Sequence, residues 1–342
     1  MSQEFNIAIL GATGAVGETI LEVLKERKFP VGEMHLLASE RSEGKTSRFN
    51  GKTIQVQNVE DFDWSQVHIA FFSAGSELSE RWAPIAADEG VVVIDNTSRF
   101  RYEYDVPLVV PEVNPEAIAE FRNRNIIANP NCSTIQMVVA LKPIHDEVGL
   151  ERINVSTYQS VSGAGKPGID ELAGQTAKLL NGMPADKSAF SQQIAFNCIP
   201  QIDEFTENGY TREEMKMVWE TQKIFADSSI TVNPTCVRVP VFYGHAESLH
   251  IETRAPIGAE QVIQLLENTE GVEVFQALDF PTQVRDAGGK DHVMVGRIRN
   301  DISHHSGVNM WVVADNVRKG AATNAVQILS LIHISEPTRR RL

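Results

Sequence analysis

A cysteine stands where a predicted helix begins, and its thiol could act as a nucleophile. Cys132 follows the polar stretch Ala-Asn-Pro-Asn at 128–131, which comes directly after two isoleucines. Helical spacing of apolar residues resumes at Ile135, so Asn131 is a good helix cap and Cys132 falls in the first turn. The helix dipole and first-turn N–H groups favour the thiolate there. A buried structural cysteine is the alternative, because most lone cysteines are buried.

Three glycines follow the first apolar run of the chain. Residues 5–10 predict a buried parallel strand, and apolar residues within 18–27 have helical spacing. Between them lie Gly11, Gly14 and Gly17, which allow a tight turn and the close approach of a pyrophosphate to the start of a helix. A glycine turn that only packs the helix against the strand is the alternative.

The end of the second predicted strand, residues 34–38, bears on the choice of dinucleotide. The sequence continues as Ser39-Glu40-Arg41-Ser42. An arginine with two hydroxyls could bind a 2′-phosphate, which favours NADP, whereas Glu40 could instead contact a free ribose hydroxyl. A surface-loop arginine is the third possibility.

The pattern of elements predicts two domains of different class. Further strands at 67–72 and 91–94 alternate with helical segments, which indicates a parallel, Rossmann-type α/β domain over roughly the first 130 residues. Stretches at 151–162, 230–254 and 291–315 alternate apolar and polar residues, and helices are predicted at 170–181 and 259–267. These features predict an α+β domain with a mixed, largely antiparallel sheet.

Composition limits the function classes. The 342 residues carry a net charge of −14, which argues against nucleic acid and acidic membranes as partners, and positive charge for anionic substrates must then be local. No apolar run is long enough to span a bilayer, and the N-terminus does not resemble a secretory signal. Three scattered cysteines predict neither a disulfide framework nor a metal site. We therefore expect a cytoplasmic protein without a bound metal.

The end of the chain differs from the rest. Residues 331–342 contain a proline and a cluster of arginines, and this composition predicts that the helix patterned over 321–329 ends there. An irregular or non-native end is favoured over a tail that binds anions.

Several ordered motifs together resemble the aspartate-semialdehyde dehydrogenase family. They are the glycine turn, Asn131-Cys-Ser-Thr134, Gln159-Ser-Val-Ser-Gly-Ala-Gly165 and Arg238-Val-Pro-Val-Phe-Tyr-Gly-His245, and the likeness covers residues 5 to about 328. The resemblance implies interconversion of aspartate semialdehyde, phosphate and NADP⁺ with aspartyl phosphate and NADPH, in biosynthesis of lysine, threonine, methionine and diaminopimelate. It also implies a homodimer built through the second domain's sheet, with an NADP-binding domain at 1–131 and 318–342 and a catalytic domain at 132–317.

The same resemblance assigns roles to particular side chains. Cys132 becomes the acyl-thioester nucleophile, His245 the general acid/base and Gln159 the residue that orients the acyl intermediate, with its amide able to donate to the intermediate's oxygen. Arg238 would bind the α-carboxylate of the substrate and Glu220 its amine, while Arg99 and Lys223 would hold phosphate. A satisfied sheet histidine, a sheet-edge glutamine and a surface Glu220–Lys223 pair on a predicted helix are the alternatives.

The cofactor contacts implied by the resemblance lie in five segments. They comprise Gly11, Thr13, Gly14, Ala15, Val16, Gly17, Ser39, Arg41, Ser42, Ser73, Gly75, Ser162, Gly163, Gly165, Asn324 and Gln327.

Two other functions compete with this hypothesis. N-acetyl-γ-glutamyl-phosphate reductase also combines a Rossmann domain with a cysteine nucleophile, but its substrate lacks the free amine that Glu220 would contact. A non-catalytic NADP-binding homologue would be expected to lack the nucleophile or the base, and both Cys132 and His245 are present.

Overall fold

The fold is given by a computed structural model, which describes residues 4–276 and 278–335. Contacts between residues divide the chain into two compact units. The first runs to Pro130 and resumes at Ala321, and the second is Asn131–Gly320.

The first unit is a seven-stranded sheet with helices. Its strands have the order β3-β4-β2-β1-β5-β6-β7, and every pair is parallel except β3–β4. The chain pairs β2 on one side of β1 and later β5 on the other, which makes a topological switch point at the end of β1. The Rossmann-type prediction is confirmed. The elements are β1 Phe5–Leu10, α1 Ala15–Glu26, β2 Val31–Ala38, β3 Thr46–Phe49, β4 Lys52–Asn58, β5 Ile69–Phe72, α2 Ser76–Asp88, β6 Val92–Asp95, β7 Ile126–Ala128 and the C-terminal helix Thr323–Ser335.

The hairpin of β3 and β4 was not predicted. Its turn is Asn50-Gly51, with φ of 47° and 81° at the two residues, so both occupy the left-handed region that a tight hairpin turn requires. Asn-Gly is the strongest short-range hairpin signal in a sequence. The strands themselves are short and mostly polar, and their apolar pattern alone is too weak to identify them.

The last helix extends beyond Leu329 into the segment whose composition differs from the rest of the chain. It continues to Ser335, and His333 packs edge-on against Phe5 and Phe29, with ring centroids 5.3 and 5.8 Å apart. Ile332 is also buried in the core that lines this unit. Aromatic and apolar contacts therefore stabilise an extra turn. The proline and the arginine cluster that prompted the prediction lie outside the described residues.

The second unit is a mixed six-stranded sheet covered by helices. Its strand order is β11-β12-β13-β10-β8-β9, with β8–β9 and β11–β12 parallel and the other three pairs antiparallel. The predicted largely antiparallel sheet is confirmed. The elements are α3 Cys132–Val148, β8 Leu150–Gln159, α4 Gly165–Leu180, α5 Arg212–Ile224, β9 Thr231–Arg238, β10 His245–Thr253, α6 Ala259–Glu267, β11 Val272–Val274, β12 Val293–Asn300 and β13 Gly307–Ala314.

The two faces of this second sheet differ. Odd-numbered residues of β8 from Ile153 onward and of β10 are buried, and α3 packs against the sheet. Even-numbered residues such as Tyr158, Ser248 and His250 are half-exposed, together with Trp311 of β13. The period-2 alternation in the sequence thus corresponds to one covered face and one face open to solvent or a partner.

Candidate active site

Three predicted site residues form one row across the second sheet. In the strand register Gln159 of β8 lies opposite His245 of β10 on one side and Arg238 of β9 on the other. All three are buried, with exposures of 1%, 0% and 6%. These residues are far apart in the chain, but they are neighbours because each lies at a strand terminus at the same end of the sheet.

The candidate nucleophile begins α3 as predicted. Asn131 caps the helix, and its side-chain oxygen accepts hydrogen bonds from the N–H groups of Ser133 and Thr134. Cys132 is half-buried, whereas Cys236 is buried and Cys198 is exposed. Burial raises the pKa of the Cys236 thiol well above its usual value. Only Cys132 combines partial access with a helix N-terminus, the setting that favours a reactive thiolate.

The ring of His245 is held beside Ser160. The backbone N–H of Ser160 points at Nδ1 from 3.2 Å, and a backbone N–H can only donate. This contact favours the neutral tautomer that carries its hydrogen on Nε2, which has no hydrogen-bond partner among the described residues. Burial, followed by the nearby Arg238 guanidinium, lowers the pKa of His245 to about 3. The resting ring is thus a neutral donor.

Arg238 is fixed beside this histidine. Its Nη1 donates to the carbonyl oxygen of Ser160 over 2.7 Å. Burial lowers the pKa of Arg238, while the charges of Glu213 and Cys132 raise it. Gln159 lies opposite Arg238 in the sheet and its Nε2 contacts the hydroxyl of Ser133, the residue after Cys132. A substrate carboxylate held by Arg238 would therefore lie near the nucleophile.

Gly163 leaves no room for a side chain beside this pair. A methyl group added there would lie 2.7 Å from Nη1 of Arg238 and 3.4 Å from Nε2 of His245. We expect Gly163→Ala to lower kcat/KM by about tenfold to a hundredfold, because small displacements of positioned groups are costly. Steady-state kinetics checks this. Gly174→Ala is the matched control, since a methyl group there meets nothing within 4 Å; equal activity of the two variants would contradict the prediction.

Helix α5 contributes the residues predicted at 220 and 223. The alternative of an exposed surface pair is wrong for Glu220, which is fully buried and accepts a hydrogen bond from the backbone N–H of Asn131 over 2.6 Å. Lys223 lies one turn later and is half-buried. Because Glu220 contacts the residue before Cys132, α5 helps to fix the nucleophile's position.

Two further polar residues were not predicted. Glu213 of α5 accepts hydrogen bonds from the side chains of Asn131 and Gln159. Asn316 follows β13, and its Oδ1 accepts from the hydroxyls of Ser160 and Ser162 and from the N–H of Gly244. No short motif identifies either residue, although Thr211 with Glu214 is a capping-box signal for the start of α5.

The glycine turn has the geometry of an anion site. Gly11 has φ of 94°, and a methyl group added at Gly17 would lie 2.3 Å from the carbonyl oxygen of Gly11. The first helical hydrogen bond of α1 runs from Glu18 N to Gly14 O, so the N–H groups of Ala15, Val16 and Gly17 precede it. Such first-turn N–H groups bind phosphate oxygens. The predicted turn therefore fits a dinucleotide.

The remaining predicted residues of the first unit near this turn are accessible. Ser39 and Arg41 are exposed, and Ser42 is 3.5 Å from the hydroxyl of Thr13. Ser73 follows β5 and its hydroxyl donates to Leu10 O. Gly75 caps α2, and a methyl group there would meet nothing within 4 Å. These are the loops beyond strand carboxyl ends, where α/β sheets bind ligands.

Three other predicted residues are engaged within the first unit. Arg99 forms ion pairs with Glu80 and Glu103, at 3.1 and 2.8 Å. The side-chain nitrogen of Asn324 donates to Val109 O and to Asn129, and that of Gln327 donates to Glu112. Their predicted roles toward phosphate and nicotinamide stay predictions.

Ser162 and Gly165 flank the turn into α4. Ser162 exchanges hydrogen bonds with Asn316, and Gly165 opens α4 with φ of 70°.

Within residues 4–276 and 278–335, no group of His, Cys, Asp and Glu side chains could hold a metal ion. Over the same residues, no helix has the length and apolar character needed to cross a bilayer.

Each of the two units matches a known family model. Residues 6–121 match the family model "Semialdehyde dehydrogenase, NAD binding domain", and residues 141–319 match "Semialdehyde dehydrogenase, dimerisation domain". The chain is 82% identical over 332 residues to aspartate-semialdehyde dehydrogenase 2 of Vibrio cholerae, covering 97% of this chain and 98% of that protein.

Solved structures resemble the whole chain. The crystal structure of aspartate semialdehyde dehydrogenase II from Vibrio cholerae complexed with ASA has a TM-score of 0.96 at 81% identity, covering 97% of this chain and 98% of that one. The enzyme from Candida albicans, solved with NADP, has a TM-score of 0.77 at 25% identity, covering 96% and 98%. The chain is therefore an oxidoreductase with a nicotinamide-dinucleotide-binding domain, and it belongs to the aspartate-semialdehyde dehydrogenase family.

Proposed function

We propose that this chain interconverts L-aspartate 4-semialdehyde, phosphate and NADP⁺ with L-4-aspartyl phosphate and NADPH through a thioester on Cys132. The observation that carries the proposal is the half-buried Cys132 at a helix start, where Gln159 contacts the next residue, Ser133, and lies opposite the buried Arg238 in the sheet. An aldehyde has no leaving group, so a thiolate that adds to it allows hydride to leave and a reactive thioester to form.

Substrate binding would use opposite charges. Arg238 holds the α-carboxylate, and Glu220 faces the α-ammonium group. Both side chains are buried, which strengthens a charged hydrogen bond relative to one in water. A substrate without a free amine, such as the N-acetyl glutamyl compound, would leave the Glu220 carboxylate without that contact.

The reaction then proceeds at one carbon. The sulfur of Cys132 forms a bond to the aldehyde carbon, and the carbonyl oxygen takes the negative charge. His245 donates a hydrogen bond from Nε2–H to this oxygen. When the ring acts as an acid and then as a base, the proton that it gives up first is the one on Nε2. NADP⁺, when bound, supplies the acceptor for the hydride. Phosphate next attacks the thioester carbon and the sulfur leaves, with Lys223 and Arg99 as the proposed phosphate contacts.

The dinucleotide would be held by the first unit. The glycine turn fits its pyrophosphate, as argued above, and the NADP complex of the Candida albicans relative supports NADP. Arg41 with Ser39 and Ser42 would contact the 2′-phosphate, and the other proposed cofactor contacts of this unit are Thr13, Ser73, Gly75, Asn324 and Gln327. Three further proposed cofactor contacts, Ser162, Gly163 and Gly165, belong to the second unit.

Loss of Arg41 tests the cofactor preference. We expect Arg41→Ala to raise the KM for NADP⁺ by about tenfold to a hundredfold and to change the KM for NAD⁺ little, because a guanidinium–phosphate contact is lost. Kinetics with both dinucleotides measures the effect. The exposed Arg48→Ala is the control. An unchanged NADP⁺ KM in Arg41→Ala would remove this residue from the proposal.

The assembly and setting follow from the same family. We propose a homodimer that uses the half-exposed face of the second sheet, a cytoplasmic location, and a role in making lysine, threonine, methionine and diaminopimelate. We also propose the functional boundaries given above: an NADP-binding domain at 1–131 and 318–342, and a catalytic and dimerisation domain at 132–317. The dimerisation-domain match supports the dimer.

A simple assay tests the proposed reaction. Aspartate semialdehyde and NADP⁺ should give sustained NADPH formation only when phosphate is added. N-acetyl-glutamyl semialdehyde should be a much poorer substrate, because it cannot pair with Glu220. Sustained turnover without phosphate, or preference for the acetylated compound, would overturn the proposal.

A further inference from the structure

Glu213 is a buried carboxylate at the centre of the site. The family resemblance assigns no role to it. It lies in the first turn of α5 and is 6% exposed. Its Oε1 accepts hydrogen bonds from Asn131 Nδ2 at 2.9 Å and Gln159 Nε2 at 3.2 Å, and its Oε2 accepts from Lys216 Nζ at 3.0 Å. One side chain thus contacts both the cap of the nucleophile's helix and the predicted orienting glutamine.

The surroundings of Glu213 keep it ionised. Burial alone would raise its pKa, but the Lys216 ammonium ion and the hydrogen bonds from Asn131 and Gln159 together lower it to about 2. Lys216 is itself held by Asp203 at 2.9 Å. An ionised carboxylate can only accept hydrogen bonds, so every group that faces Glu213 must present a donor.

This requirement fixes the amide of Gln159. Its Nε2 carries two hydrogens, and these are directed to the hydroxyl of Ser133 and to Glu213. A flipped amide would place its oxygen against the carboxylate, which is repulsive. Both donor positions of Gln159 are therefore used inside the protein, and the polar atom left for a ligand is the carbonyl oxygen Oε1.

We propose that Glu213 is a positioning residue that holds Gln159 with Oε1 toward the substrate, so that Gln159 accepts a hydrogen bond from an N–H or O–H group of the bound substrate. This inference rests on the proposed function and changes one role within it. Donation to the negatively charged oxygen then falls to Nε2–H of His245, because Gln159 has no hydrogen to spare. Glu213 also steadies Asn131, the residue before Cys132.

Exchanging the two functional groups tests the proposal. Gln159→Glu alone sets two carboxylates against each other, and we expect kcat to fall about a hundredfold or more. In the double variant Gln159→Glu/Glu213→Gln, the amide at 213 donates to the carboxylate at 159, which still offers an acceptor to the substrate. Oε1 of Glu213 also accepts from Asn131, so Glu213→Gln alone is measured as the control for the loss of that contact. We expect recovery in the double variant, with kcat at least about tenfold above the value that the two single losses predict when they are multiplied. If Gln159 must donate, the single losses multiply without recovery, and the proposal is overturned.

The readouts separate this role from folding and from the overall reaction. We expect alkylation of Cys132 by iodoacetamide and the KM for NADP⁺ to differ little between the double variant and Glu213→Gln, while kcat carries the effect. Absence of phosphate-dependent turnover in the unaltered protein would defeat the proposed function itself. Normal turnover there, with no recovery in the double variant, would defeat only the inference about Glu213.

Hydrogen exchange at Nε2 of Gln159 tests the proposal in the unaltered protein, so the result does not depend on whether a variant folds. With ¹⁵N-labelled glutamine, both Nε2 hydrogens of Gln159 should exchange slowly with solvent, because both are hydrogen-bonded in a buried site. Fast exchange of either hydrogen would overturn the assignment. Slow exchange of both supports it.

Discussion

Replacing Cys132 with alanine should abolish phosphate-dependent NADPH formation. Loss of an attacking nucleophile costs about 10⁴-fold or more in kcat, because no other group can form the covalent intermediate. NADP⁺ binding should persist, since the glycine turn is not altered. Steady-state kinetics and dinucleotide titration of the same preparation measure the two properties.

The other cysteines provide controls of matched chemistry. Cys198 is exposed, so Cys198→Ala should keep full activity. Cys236 is buried, and Cys236→Ala should change stability more than turnover. Substantial activity in Cys132→Ala, or loss of activity in Cys198→Ala, would show that the nucleophile has been misassigned.

Removing the imidazole should have the second largest effect. We expect His245→Ala to lower kcat by about 10²- to 10⁴-fold, the range for loss of a positioned acid/base or oxyanion donor. His245→Gln retains an N–H donor and should recover part of this loss. The exposed His305→Ala is the control and should be unchanged. Equal activity of His245→Ala and the unaltered protein would exclude a role for the ring.

The same substitution should alter how stability depends on pH. Because the pKa of His245 is lowered from 6.5 to about 3 on folding, the unfolded chain binds a proton between these values that the folded chain does not. This contribution to stability is complete above pH 6.5 and is lost as pH falls toward 3. Urea unfolding over that range should show a slope reduced by up to about 1.4 kcal/mol per pH unit in His245→Ala. An unchanged slope would contradict the buried, neutral state of this ring.

Periodicity and caps allowed much of the fold to be predicted. The glycine turn, the cap at Asn131 and the alternating strands β8, β9 and β10 are local patterns, and the structure has each of them. The Asn-Gly pair at 50–51 is a hairpin signal, but the hairpin was not predicted because its strands are polar and short. The C-terminal helix is longer than its local sequence pattern indicates, because His333 packs against Phe5 and Phe29 and stabilises the last turn.

The support around the site could not be predicted in this way. Glu213 matters because it meets Gln159 and Asn131, which lie 54 and 82 residues away in sequence. Asn316 contacts Ser160 across 156 residues. Nothing in the sequence near Glu213 or Asn316 reports these partners, since they arise only when α5 packs on β9 and α3 and when β13 joins the sheet that contains β8. Residue types could suggest the reacting groups, but the groups that orient them depend on tertiary contacts.

A burst experiment without phosphate tests the central claim most directly. Mixing the enzyme with aspartate semialdehyde and NADP⁺ should release one equivalent of NADPH per site and then stop, because the thioester on Cys132 awaits phosphate. Mass spectrometry of the stopped reaction should find the aspartyl group on the peptide that contains Cys132, and added phosphate should restart turnover. Absence of a burst, or an acyl group on any other residue, would contradict the account.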